Sequence, residues 1–153
     1  MTNFKDMPPH SRVWIYQSNK EFTPSEVGLI KNKSEEFIAR WTSHDQLMKA
    51  CIEIFHNRFI ILCVDEKTAP ASGCGIDKSV KFIQQLEKDF SISLLDRMNA
   101  AYRDNGKIIS CNISELKSLE NFTVFNNLVN TKEDFEKNWE IPLEQSWLKK
   151  LIT

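Results

Sequence analysis

The segment Ala71-Ser72-Gly73-Cys74-Gly75-Ile76-Asp77 holds the residue types of this chain that come closest to a reactive centre. Two glycines bracket a cysteine just ahead of a run that reads as a helix, and glycine permits unusual backbone angles. A helix start offers free N–H groups and partial positive charge, so a thiolate at Cys74 would be favoured there. Asp77, in the first helical turn, either caps the helix or opposes that effect. A thiol nucleophile needs a base. His44 and His56 are the candidates, because His10 stands in a chain start that reads as mobile. Asp65 and Glu66, at the end of an apolar run, could orient such a histidine or bind a cation. The bland alternative is a tight turn with Cys74 as a small buried plug, surface histidines and a solvated acidic pair, which is the commoner use of such residues.

Two further motifs fail on their chemistry. Ile60 to Glu66 resembles the apolar strand and acidic pair that hold magnesium in ATPases, and Asp77-Lys78-Ser79 resembles the end of a phosphate loop. That loop is G-x-x-x-x-G-K-S, because glycines let backbone N–H groups wrap the phosphates. Ser72 and Asp77 replace both glycines, and an aspartate would repel the anion. Trp14, Tyr16 and Phe59 are aromatics in the strands that an RNA-recognition sheet uses for stacking bases. The aromatic-rich third strand of that module is replaced by Ile60-Ile61-Leu62-Cys63, and the net charge is -1 with neither half of the chain basic. Nucleic acid is therefore disfavoured as a partner. Cys51, Cys63, Cys74 and Cys111 include no C-x-x-C pair, so no zinc or other metal site is expected. Reduced, mostly buried thiols are expected at Cys51, Cys63 and Cys111. No cofactor is implied.

The elements that must position these residues fit in one domain spanning all 153 residues. Hydrophobic residues at 41% allow a buried core, and only four glycines argue against a barrel of many tight turns. The longest apolar run, Phe59 to Val64, is far short of the roughly 20 residues of a membrane span. The start has no apolar stretch of the signal-peptide kind. A soluble, cytoplasmic protein with no membrane partner is the expectation.

Arg12 to Gln17 reads as a first strand. Thr23-Pro24-Ser25-Glu26 then carries a cap, a first-turn proline and a capping-box glutamate for a helix ending near Trp41. Met48 to His56 alternates as a half-buried strand, His56-Asn57-Arg58 is a tight turn, and Phe59 to Asp65 is apolar on both faces. Ile76, Val80, Ile83, Leu86 and Phe90 mark the core stripe of a second helix. Asn105-Gly106 between two strand-like runs, Arg97 to Arg103 and Lys107 to Cys111, signals a hairpin. Ser114 to Asn121 reads as a short helix, Thr123 to Val129 as extended, Thr131 to Trp139 as a capped helix, and Ser146 to Leu151 as a last turn. Strand, helix, strand, strand, helix, strand is the order of a ferredoxin-like, split βαβ sheet of the α+β class. A hairpin extension and a helical C-terminal tail are added. In that architecture the first and third strands are central.

Met7 to Thr23, Val64 to Val80, Thr123 to Lys132 and the closing Trp139, Pro142, Ser146 and Trp147 together resemble a small bacterial family whose members carry the label "ABC transporter ATPase". The resemblance spans nearly the whole chain and is most specific from Ser72 to Ser79. It departs where the family has serine and this chain has Gly75, and where the family has glycine and this chain has Asp45. The label implies a nucleotide hydrolase, although the phosphate loop and a Leu-Ser-Gly-Gly-Gln signature are absent.

Three functions follow, in order. The first is a non-enzymatic ligand-binding or protein-interaction domain with Asp65, Glu66, Ser72, Gly73, Cys74, Gly75 and Asp77 as its site, taking a small ligand or a protein. A homodimer is a further expectation by analogy with sheets of this order. The second is a thiol-based enzyme or redox sensor using Cys74 with His44 as base. The third is a nucleotide hydrolase.

Overall fold

A computed structural model describes residues 2–43, 45–67, 70–118 and 122–146. The core begins with three antiparallel strands, β1 (Arg12–Gln17), β4 (Ala50–Phe55) and β5 (Phe59–Val64), arranged β1-β5-β4. β5 is apolar on both faces because both faces are covered, and every one of its residues is buried. Ile60, Leu62 and Val64 join a cluster with Ile30, Ile38, Ile83 and Leu86 from the two long helices, α1 (Pro24–Arg40) and α2 (Gly73–Phe90). Phe59, Ile61 and Cys63 point the other way, into a cluster with Phe4, Phe125, Phe135 and Trp139.

α1 starts where its residues say it should. Thr23 Oγ1 accepts from the Glu26 amide at 3.2 Å while the Glu26 carboxylate accepts from the Thr23 amide at 2.9 Å, closing the capping box. Phe37 and Phe82 stack at 4.5 Å and tie α1 to α2. His56 and Asn57 turn the chain between β4 and β5 with φ of 54° and 53°.

The second sheet is antiparallel, with β7 (Lys107–Asn112), β6 (Asn99–Asp104), β8 (Thr123–Phe125) and β9 (Glu140–Pro142) in that order. Asn105 and Gly106 make the expected two-residue turn with φ of 49° and 81°. α3 (Lys132–Asn138) is capped by Thr131, as its sequence indicates. The fold is α+β, with helices on one face of the first sheet and the second sheet with α3 on the other.

Several expectations change. The first, second and third predicted strands stand in the order of a split βαβ sheet, but the fourth, β6, belongs to the second sheet. The outer edge of β1 is already in use at its start, where Arg12 bridges Thr131 and the Val13 amide donates to Asn130 O at 3.0 Å. No ladder joins β6 to β1; the Gln17 side chain donates to Ala100 O at 2.9 Å and the Asn99 side chain donates to Gln17 O at 3.4 Å. β1 is therefore an edge of its sheet, and β5 alone is central. Ser114 to Ser118 lies within a 3-10 turn, Ile113–Ser118. Three strands were not foreseen, β9 and the pair β2 (Thr42–Ser43) and β3 (Gln46–Leu47) that make a small hairpin, nor was a 3-10 turn at Phe4–Asp6. Residues 147–151 of the predicted last turn lie outside the described residues, and a 3-10 turn, Leu143–Gln145, precedes it.

Candidate functional site

β5 ends at Val64, and the chain leaves the sheet through Asp65 and Glu66. Asp65 is buried, with a side chain 7% exposed, so its charge needs compensation. Its Oδ1 lies 3.1 Å from His10 Nε2 and accepts from the Lys67 amide at 3.1 Å; Lys49 Nζ stands 3.6 Å from Oδ2. Burial raises the Asp65 pKa, but the His10 hydrogen bond, the Lys67 amide and the charges of His10 and Lys49 outweigh it. The carboxyl stays below its ordinary value. Glu66 pairs with Arg12 at 3.6 Å and accepts from the Ala71 amide at 3.2 Å. Arg12 in turn lies 4.6 Å over the Trp14 ring. The histidine that an acidic residue orients is thus His10. β1 and β5 run antiparallel with Arg12 opposite Val64, so residues just before β1 must lie beside those just after β5.

Across the loop, α2 begins at Gly73, one turn earlier than the glycines suggest, and Gly73-Cys74-Gly75 is helix rather than approach. Neither Gly73 nor Gly75 has positive φ; Gly106 is the glycine that does. The cap is Ser72, whose Oγ accepts from the Gly75 amide at 3.4 Å, and Asp77 stands beyond that cap and is exposed. Ser72 Oγ also meets Ser43 Oγ at 2.5 Å. Gly75 sits against the β2–β3 hairpin: Trp41 Nε1 donates to Gly75 O at 2.8 Å, and a Cβ at this position would lie 3.2 Å from Ser43 Cβ. Lys78 Nζ donates to Thr42 O at 3.3 Å. Residues 73 to 78 are helical and form no glycine-rich phosphate cradle.

Cys74 is exposed rather than a buried plug. His44, the base proposed for it, lies outside the described residues. His56, the other candidate, stacks on Trp139 at 5.7 Å within a ring cluster of Phe59 and Phe125, on the second-sheet side of the fold. The seven predicted site residues therefore fall into three groups. Asp65 and Glu66 belong to an ion-pair cluster at the sheet end, while Ser72 and Gly75 lock the start of α2 onto the hairpin. Gly73, Cys74 and Asp77 face solvent.

Sequence reasoning missed Arg12, Lys49 and Ser43, set His10 aside as part of a mobile start, and weighed Lys78 only as the end of a phosphate loop. A surface groove of about 560 Å³ lies at the far end of α2, lined by Gln84, Glu87, Lys88, Ile92 and Ser93, and touches none of these residues. Among the described residues no three His, Cys, Asp or Glu side chains gather as a metal site, and no helix is long and apolar enough to cross a membrane.

No family model, curated protein or solved structure matches this chain.

Proposed function

We propose that the chain is a non-enzymatic protein-interaction domain whose contact surface is the outward side of residues 65–79. One observation carries this. Among the described residues the inward polar groups of the loop are spent on the fold, Asp65 on His10 and Lys49, Glu66 on Arg12, Ser72 on Ser43 and Lys78 on Thr42, so the groups left facing out are Lys67, Pro70, Gly73, Cys74 and Asp77. They are exposed groups of both charges at the start of a long helix and, among the described residues, line no concave apolar pocket, which suits a protein partner better than a small ligand. A bacterial, cytoplasmic setting is part of the same proposal and rests on the resemblance and the composition.

Photocrosslinking tests it. Benzophenone-maleimide placed on Cys74 in a Cys111→Ser background should yield a discrete adduct in an extract of the cells that make the protein. The same probe at Lys31→Cys, an exposed position of α1, with Cys74→Ser added, should not. Adducts of equal yield from both positions would sink the proposal.

The exposure of Cys74 in the first turn of α2 favours a second reading, a reactive thiol. Iodoacetamide labelling of Cys74 against pH separates the two: a midpoint near that of an ordinary thiol removes the thiol reading. For the nucleotide-hydrolase reading, isothermal titration with magnesium-ATP is decisive. No saturable heat is expected, because Asp77 stands where a phosphate loop has glycine.

A further inference from the structure

Away from that surface, the two most buried cysteines face each other. Cys51 in β4 is paired directly with Cys63 in β5, on the sheet face that looks toward α3. Directly opposed residues of an antiparallel pair hold their Cβ atoms roughly 4.5–5.5 Å apart. A disulfide asks for about 3.5–4.5 Å, so closing one here needs only a small movement.

The surroundings of the pair are not those of inert core thiols. Ser11 is fully buried, and its Oγ makes no hydrogen bond to a described residue, while its hydroxyl is one of the groups that lower the Cys63 pKa. Lys132 is 6% exposed, and its ammonium acts electrostatically on both cysteines while donating to Met7 O at 2.7 Å and Lys5 O at 3.1 Å. A hydroxyl donor and a cation beside a cysteine are what give it thiolate character. The Cys51 thiol, Ser11 and Lys132 together hold the Cys63 thiol below its ordinary pKa despite burial. The Cys51 thiol, sharing its proton with Cys63 and itself buried, is pushed up.

Access has a route. The 3-10 turn Phe4–Asp6 packs against β4 and belongs to the same cluster as the thiols. Its anchors are the edges of Phe55 and Phe135 around Phe4, at 5.4 and 5.6 Å, and the Lys132 amine. A single 3-10 turn held by a few contacts opens at lower cost than global unfolding.

We propose that Cys51 and Cys63 are an oxidisable pair, closed into a disulfide across β4 and β5 by peroxide and reopened by thiol reductants. The Cys63 thiolate attacks one peroxide oxygen, the O–O bond breaks, and hydroxide leaves, giving a sulfenic acid. The Cys51 sulfur then displaces the sulfenic oxygen. An S–S bond forms, and the Cys51 proton leaves with that oxygen as water. Neither other cysteine has such a partner in register: Cys111 stands opposite Ala100, and Cys74 is on a helix.

Treating the folded protein with hydrogen peroxide, then with N-ethylmaleimide in urea, tests the proposal. The expected product is about 2 Da lighter before alkylation. Two of its four cysteines take maleimide, one cross-linked peptide joins positions 51 and 63, and dithiothreitol restores four alkylated thiols. Cys51→Ala and Cys63→Ala should each abolish the loss of mass. Full alkylation of Cys51 and Cys63 after peroxide would overturn the proposal. So would a link that forms only when urea precedes the oxidant, or a Cys74-linked dimer as the sole product.

Discussion

His56 stacks on Trp139 with an interplanar angle of 20°, and there burial, then the Arg103 charge, lower its pKa while Glu140 opposes them. A histidine whose folded pKa lies below its unfolded value of 6.5 is neutral in both states at high pH, so it costs nothing there. As pH falls through 6.5 the unfolded chain takes up a proton that the folded chain refuses, and stability declines until the folded pKa is passed. Urea midpoints should therefore drop as pH falls below 6.5, and His56→Phe, which keeps the ring, should flatten that slope. An equal slope in the variant would contradict this. Asp65 acts in a separate window. Its folded pKa is depressed, so its contribution is present above its unfolded value of 3.8 and is lost as pH falls through the folded one. Two glycines give a sharper contrast. A Cβ at Gly73 meets nothing within 4 Å, and helical Gly→Ala gains about 0.5–1 kcal/mol, so Gly73→Ala should stabilise. At Gly75 a Cβ presses on Ser43, which Ser72 holds in place. Gly75→Ala should cost about 1–3 kcal/mol less that helical gain, a net loss visible in the urea midpoint. The sequence shows two similar glycines around Cys74; only the hairpin at Ser43 separates them.

Ile61 is fully buried in the one central strand, so Ile61→Ala should lower stability by about 2–5 kcal/mol. An unchanged urea midpoint would mean that β5 is misplaced. Ser72→Ala removes the α2 cap and should cost about 0.5–2 kcal/mol, read in the same way. The elements legible in the sequence are those whose signals are local. Thr23, Pro24 and Glu26 announce α1, Thr131 announces α3, and Asn105-Gly106 announces the β6–β7 hairpin. What was not legible depended on partners far along the chain. β9 has one buried apolar residue, Ile141, and ends in a proline, so it exists only because β8 pairs with it. β6 carries Ala100 and Ala101 as its buried residues, and its place in the second sheet follows from pairing with β7 and β8. The β2–β3 hairpin turns through Asp45 at φ 63°, a conformation glycine would advertise and aspartate hides.

At the scale of the whole molecule, β5 is the spine: helices α1 and α2 cover one face, and the second sheet with α3 covers the other. Its C-terminal end delivers Asp65 and Glu66 to His10, Arg12 and Lys49, and the following loop delivers α2 to the β2–β3 hairpin. Sequence reading singled out this loop because it leaves an apolar strand and enters a helix. It could not find the loop's partners, which come from positions 10, 12, 43 and 49 through strand register and hairpin packing. In the proposed function, inward groups of the loop hold the fold and outward groups are left for a partner. Competition for the Cys74 photoadduct tests it most directly, using unlabelled wild type against unlabelled Gly73→Trp/Asp77→Arg. Both substitutions lie on exposed positions of the first turns of α2, and the variant should keep its unfolding free energy in urea within about 1 kcal/mol of wild type, as surface changes do. Excess wild type should abolish the adduct while the equally folded variant leaves it intact; a variant that competes as well as wild type would contradict the account.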